Sequence, residues 1–155
     1  MGSGKSSVAR AYAKTSNTYF LDTDAMIESA QNRSIEEIFQ TEGEAYFRDL
    51  EKELVAWLKD NVSNAIISTG GGMLAHCEEL SALGHMVYLK VPFLSIMSRM
   101  SPDELAKRPL FKDKEKAERI YEERNSMYEQ KAEIIIDADC DVKEVVSRLS
   151  SAINS

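Results

Sequence analysis

Residues 2–7 read Gly-Ser-Gly-Lys-Ser-Ser, and a helical pattern (Val8, Ala9, Ala11, Tyr12) follows at once. The run matches the second half of G-x-x-x-x-G-K-S/T, the loop whose glycines let consecutive backbone N–H groups curl around a polyphosphate. That chemistry also asks for a helix N-terminus beneath the anion, a lysine reaching the β- and γ-phosphates, and a hydroxyl on Mg²⁺. Lys5 and Ser6 fit the last two parts. A flexible Gly/Ser tail is the plainer alternative, and the helix directly after Lys5 counts against it. The motif's first glycine and the strand before it do not occur in the 155 residues given. The expectation is therefore of about ten further residues upstream, forming the strand that holds the loop.

Asp22 and Asp24, in Leu21-Asp22-Thr23-Asp24, follow an apolar run. Ligands in open α/β sheets bind at the carboxyl ends of strands. Two carboxylates at i and i+2 point the same way if the chain stays extended. One could orient Mg²⁺ through water while the other accepts a substrate hydroxyl. Helix capping by Asp24, ahead of Ala25–Gln31, would explain one of the two and leave the other without a role.

Four further positions suit an anionic substrate. Arg48 has Glu44 and Glu51 at i−4 and i+3. That is either a surface ion-pair row worth ~0.3–0.5 kcal/mol or a planar fork for a carboxylate, steadied by Glu51. Arg124 falls among Ile120, Tyr121, Met127 and Tyr128 on an apolar stripe, where an arginine needs an anionic partner. Gly70-Gly71-Gly72 comes straight after a strand pattern, so backbone can approach a ligand with its N–H groups exposed. Arg108 lies in a polar stretch, Ser101–Asp113, whose length suits a lid that neutralises charge on a transferring phosphoryl group. His76, His85, Cys77 and Cys140 have no metal-ligand spacing, and the two cysteines are read as reduced thiols of a cytoplasmic protein.

The elements that must carry these residues alternate along the chain. Tyr19–Leu21, Ala65–Ser68, Met86–Val91 and Ile134–Ile136 are buried strands by length, β-branching and flanking breakers. Between them, Ser34 to Glu37 forms a capping box, with Gly43 closing the helix. A long helix covers Glu44–Asn61, with Phe47, Leu50, Leu54 and Leu58 on one stripe. Gly84 ends another helix after Leu83, and a further one covers Lys114–Ala132. Asp141 opens the last, in which Val142, Val145, Val146 and Leu149 face inward. Alternation of this kind predicts an α/β fold, a parallel sheet covered on both faces.

The length fits a single domain, residues 1–155. With 19 Lys+Arg against 26 Asp+Glu the formal net charge is −7, which argues against a nucleic-acid partner. No apolar run approaches a membrane span, and the N-terminus has no hydrophobic signal core.

In their order and spacing these motifs resemble shikimate kinase over nearly the whole chain. The resemblance rests on Gly2 to Ser7, Leu21 to Asp24, Ile38-Phe39, Gly43-Glu44, Phe47-Arg48 through Glu51, Gly70 to Gly72, Arg108-Pro109-Leu110, and Arg124 with Tyr128. It implies a P-loop kinase of three α/β/α layers with a five-stranded parallel sheet, whose first strand is missing here, and a mobile lid at about residues 101–113. The implied reaction is MgATP plus shikimate giving ADP and shikimate 3-phosphate, on the route to aromatic amino acids, by a monomer. By the same resemblance Gly2, Ser3, Gly4, Lys5, Ser6 and Ser7 hold the ATP phosphates, with Ser6 on Mg²⁺ and Asp22 supporting the metal through water. Asp24 takes the proton of the attacking hydroxyl. Arg48 and Arg124 hold the shikimate carboxylate, with backbone of Gly70, Gly71 and Gly72 adding a donor. Phe39 and Phe47 wall the pocket. Arg108 reaches ATP from the lid, and Arg99 lies near the adenine. A gluconate-type kinase and an inactive kinase-like binding module are the alternatives. A GTPase is disfavoured, because no Asn-Lys-x-Asp occurs.

Overall fold

A computed structural model describes residues 3–103 and 113–154. Gly2, and Arg108, Pro109 and Leu110 of the expected lid, lie outside the described residues. The chain divides into two compact units, one of Ala9–His85 and the other of Met1–Val8 with Met86–Ser155. The first helix, α1 (Lys5–Thr15), carries the chain from one to the other.

In the Ala9–His85 unit, β1 (Tyr19–Asp22) and β2 (Ala65–Ser68) pair in parallel, with Tyr19 opposite Ala65 and Asp22 opposite Ser68. Helices α2 (Thr23–Gln31), α3 (Ile35–Thr41) and α4 (Glu44–Asn61) lie between the two strands in sequence. The core is built from Ile27, Ile38 and Phe47, with Ile35, Leu50 and Leu54 packed against it. Removing each large apolar side chain from water contributes roughly 1.5–3 kcal/mol. The expected stripe of α4 is the packed one, although Leu50 and Leu54 are only half-buried and Val55 joins the buried set. The capping box forms as read: Ser34 Oγ accepts from Glu37 N at 3.2 Å, and Ser34 N donates to Glu37 Oε2 at 2.7 Å. After β2 come a short α5 (Met73–His76) and a 3₁₀ turn over Glu78–Leu83, where an α-helix ending at Gly84 was expected.

In the second unit β3 (Val87–Lys90) and β4 (Ile134–Asp137) pair in parallel, Val87 opposite Ile134. The parallel sheet thus takes the form of two strand pairs, β1–β2 and β3–β4. α6 (Phe93–Arg99), α7 (Lys114–Lys131) and α8 (Val142–Ile153) complete this unit. α7 is tied to β3 and its continuation by polar as well as apolar contacts. Tyr121 donates its hydroxyl to Val91 O at 2.8 Å, Tyr88 donates to Asn125 Oδ1 at 2.8 Å, and the Tyr88 and Tyr128 rings lie 5.1 Å apart. α8 buries Val145 and Leu149, whereas Val142 is exposed, contrary to expectation. Asp141 caps this helix through Glu144 N, so Val142 is its first residue and precedes the packed turn. Among the described residues no helix is long and apolar enough to cross a membrane.

Candidate active site

Of the residues expected to handle the acid and its hydroxyls, all but Arg124 share the Ala9–His85 unit. β1 ends at Asp22, where the chain turns into α2 without a connecting loop. Asp22 itself is the N-cap: its Oδ1 accepts from Asp24 N at 3.0 Å and Ala25 N at 3.2 Å. This corrects the sequence reading in two respects. Asp24 is not the cap, and the two carboxylates are not side by side on extended chain. Once Asp22 satisfies the first amide groups, the helix starts at Thr23, and Asp24 follows helical rather than alternating geometry.

Between the two acids, Thr23 is fully buried, and its Oγ1 accepts from Gly70 N at 3.0 Å. The glycine run is therefore fastened to the Asp22–Asp24 segment across the sequence. Asp24 Oδ1 is buried and faces Gly70 so closely that a Cβ there would stand 2.6 Å from it.

Arg48, on α4, is held on two sides. Its Nη1 donates to Glu51 Oε2 at 2.7 Å, while Nη2 and Nε donate to Glu44 Oε1 at 2.9 and 3.2 Å. These bonds leave one N–H on each Nη nitrogen, the pair that a carboxylate accepts side by side. Burial works against the guanidinium charge, but the hydrogen bonds to Glu51 and Glu44 outweigh it and raise its pKa. The guanidinium also lies 5.4 Å from the Phe47 ring centroid, and Phe47 in turn stacks at 4.9 Å on Phe39. Phe47 is buried and Phe39 is at the surface, so these two expected wall residues form one contact with one open end. Gly71 sits half-buried in the turn between Gly70 and Gly72.

The residues expected to handle the nucleotide belong to the other unit or to the start of α1. Gly4 has φ +76, a left-handed conformation that side-chain-bearing residues rarely take, and its carbonyl accepts from Val8 N at 3.0 Å. Lys5, Ser6 and Ser7 therefore occupy the first turn of α1, with Ser3 and Gly4 just before it. Amide groups at such a turn point toward an anion. Arg124 is half-buried on α7 beside Tyr128, whose hydroxyl pKa is pushed up by burial while the arginine's charge pulls the other way. Arg99, at the end of α6, pairs with Asp139: its Nη2 lies 2.7 Å from Oδ1, and Ser95 Oγ donates to Oδ2 at 2.8 Å.

Ser6 offers a hydroxyl and Asp22 a carboxylate, each a hard oxygen ligand of the kind Mg²⁺ takes. Among the described residues no cluster of three or more His, Cys, Asp or Glu forms a cage. An ion that keeps its waters and leans on phosphate oxygens needs no such cage.

Sequence reasoning passed over Thr23 and gave Glu44 no role beyond an ion-pair row, while naming Glu51 as the residue that would steady Arg48. The signal for Thr23 was a hydroxyl between two carboxylates; its partner, 47 positions away, was not visible.

The profile of the family described as "Shikimate kinase" matches residues 1–154. The shikimate kinase of Helicobacter hepaticus is 41% identical over 149 residues, spanning 96% of this chain and 89% of that protein. That of Clostridium botulinum (strain Okra) is 40% identical over 142 residues, 88% of this chain and 83% of the other. The solved shikimate kinase of Aquifex aeolicus superposes with a TM-score of 0.85 at 33% identity, covering 99% of this chain and 92% of that one. The enzyme of Acinetobacter baumannii, solved in complex with shikimate, gives 0.87 at 27% identity, covering 99% and 88%. With the family profile matching nearly the whole chain and a relative 41% identical over 96% of it, the chain belongs to the shikimate kinase family.

Proposed function

We propose that the protein transfers the γ-phosphoryl group of ATP to the 3-hydroxyl of shikimate. The observation that carries this reading is the pairing of Asp24 with a two-sidedly held Arg48 around one glycine run. A ring acid bearing vicinal hydroxyls needs an anion clamp and a hydroxyl acceptor, and these residues supply both.

Asp24 accepts the proton of the attacking hydroxyl as the new O–P bond forms and the bond from the γ-phosphorus to the β-γ bridging oxygen breaks. ADP leaves with that bridging oxygen, and Asp24 returns the proton to water. Arg48 and Arg124 hold the carboxylate, with the Gly71 N–H as a further donor, and so fix which hydroxyl meets Asp24. Phe47 and Phe39 pack on the apolar side of the ring. The amides of the first turn of α1, with Lys5, cradle the β- and γ-phosphates, and Arg99 lies by the nucleotide. Ser6 and Asp22 would help to hold a Mg²⁺ ion, which would screen the charge of the phosphates. Phosphoryl transfer of this kind rests on positioning and charge neutralisation, with little covalent help from the protein.

The test is a coupled assay of ADP release with shikimate and, separately, gluconate. Turnover of shikimate and none of gluconate supports the reading. It fails if Arg48→Ala, Asp24→Asn and Arg124→Ala all keep near-normal rates, since each should lose at least ~10²-fold.

A further inference from the structure

Gly70 and Gly72 both have backbone conformations open to any residue; Gly72 has φ −102 and ψ −10, and neither has a positive φ. Backbone strain therefore does not explain why these positions are glycine. Space does. A Cβ on Gly72 would stand 2.8 Å from Nη2 and 2.9 Å from Nη1 of Arg48, and 3.2 Å from Cζ. Near-equal distance from the two Nη nitrogens, with Cζ farther away, puts that point off the end of the guanidinium fork. This is the end where one N–H on each nitrogen is left over by Glu44 and Glu51. At the other end of the run, a Cβ on Gly70 would stand 2.6 Å from Asp24 Oδ1 and 3.4 Å from Glu51 Oε1. One short segment thus lies against both groups that hold the substrate, and the buried Thr23 hydroxyl fastens it through Gly70 N.

We propose that Gly70 and Gly72 are positioning residues that act through their missing side chains. Together with Thr23, which clasps the run, they gauge the gap between Asp24 and Arg48 and keep the two-nitrogen end of Arg48 open for a carboxylate. The run then selects substrates by the span from carboxylate to reacting hydroxyl. This goes beyond the backbone N–H groups of the run and rests on the functional reading above.

The experiment measures shikimate affinity by calorimetry, steady-state KM for shikimate and ATP, and melting temperature, for the parent chain, Gly72→Ala, Thr23→Val and Thr23→Ser. An added methyl must displace the Arg48 guanidinium, so Gly72→Ala is expected to melt below the parent but to stay folded, and to bind shikimate at least ~10-fold more weakly with the ATP KM within about twofold. Thr23→Val, which keeps the shape and loses the acceptor, is expected to raise the shikimate KM at least ~5-fold, and Thr23→Ser to recover most of that loss. Shikimate affinity of Gly72→Ala within about twofold of the parent overturns the proposal. So does a Thr23→Ser variant as impaired as Thr23→Val, which would mark Thr23 as packing alone. If Thr23→Val fails to fold, the Gly72→Ala result decides. A parent chain that binds ATP and takes no shikimate overturns the functional reading first; a parent that binds shikimate no better than Gly72→Ala does overturns this proposal alone.

Discussion

Glu51 is 1% exposed, and its Oε2 lies 2.7 Å from Nη1 of Arg48, whose side chain is 15% exposed. A carboxylate buried this deeply depends on its cation, because removing one member of a buried pair leaves an uncompensated charge at about 3–5 kcal/mol. Arg48→Ala should therefore lower stability by about 3 kcal/mol as well as abolish substrate handling. Glu51→Gln should cost less stability, since the amide still accepts from Nη1, while shikimate turnover falls because the guanidinium is held more weakly on that side. Urea unfolding and initial rates on both variants check the two halves of this expectation.

The two acids of Asp22-Thr23-Asp24 separate by substitution. Asp22 caps α2, so Asp22→Ala should lose about 1 kcal/mol of stability, whereas Asp22→Asn, an equally good cap, should keep it. Both should need more Mg²⁺ for half-maximal rate, because both lose the charge. Asp24→Asn should melt with the parent and lose at least ~10²-fold in turnover. Thermal melts beside a Mg²⁺ titration of the rate distinguish these outcomes.

Much of this arrangement is legible in sequence, and what escapes it has a physical reason. The bounds of α4 and the capping box at Ser34 follow from local rules, since the helix period and the cap lie within a few residues of each other. The cap was placed on Asp24 rather than Asp22 because nothing local says that a helix starts directly after the last residue of a strand. The burial of Glu51 was also hidden. Flanked by Leu50 and Lys52 on a charged helix, it reads as one of a surface row. The glycine run, which brings Gly70 up to it from 19 positions away in the sequence, helps to close it off from water. Gly72 was read for its N–H, and its absent side chain has meaning only beside Arg48.

Arg124→Ala should raise the shikimate KM at least ~10-fold with little change in the ATP KM, while Arg99→Ala should do the reverse. Arg99 is already paired with Asp139, so Asp139→Asn should reproduce part of the Arg99 effect. Two-substrate kinetics on the three variants settle the assignment of each arginine to acid or nucleotide.

Acid stability should carry the signature of the capping box. Hydrogen bonds from Ser34 N and Oγ, with Arg33 nearby, hold the Glu37 carboxyl below its ordinary pKa. A group whose folded pKa is depressed stabilises above its unfolded pKa, and that contribution is lost as pH falls through the folded value. The melting-temperature gap between the parent and Glu37→Gln should thus be constant near neutrality. It should shrink below the ordinary carboxylate range.

Because α2 begins on the residue directly after β1, the segment from Leu21 to Ala25 has no slack. Adding or deleting one residue there would turn Asp24 by about 100° around the helix axis, away from the glycines. Such a segment tolerates exchange of side chains far better than change of length, and natural or engineered variants of this enzyme should carry their insertions elsewhere.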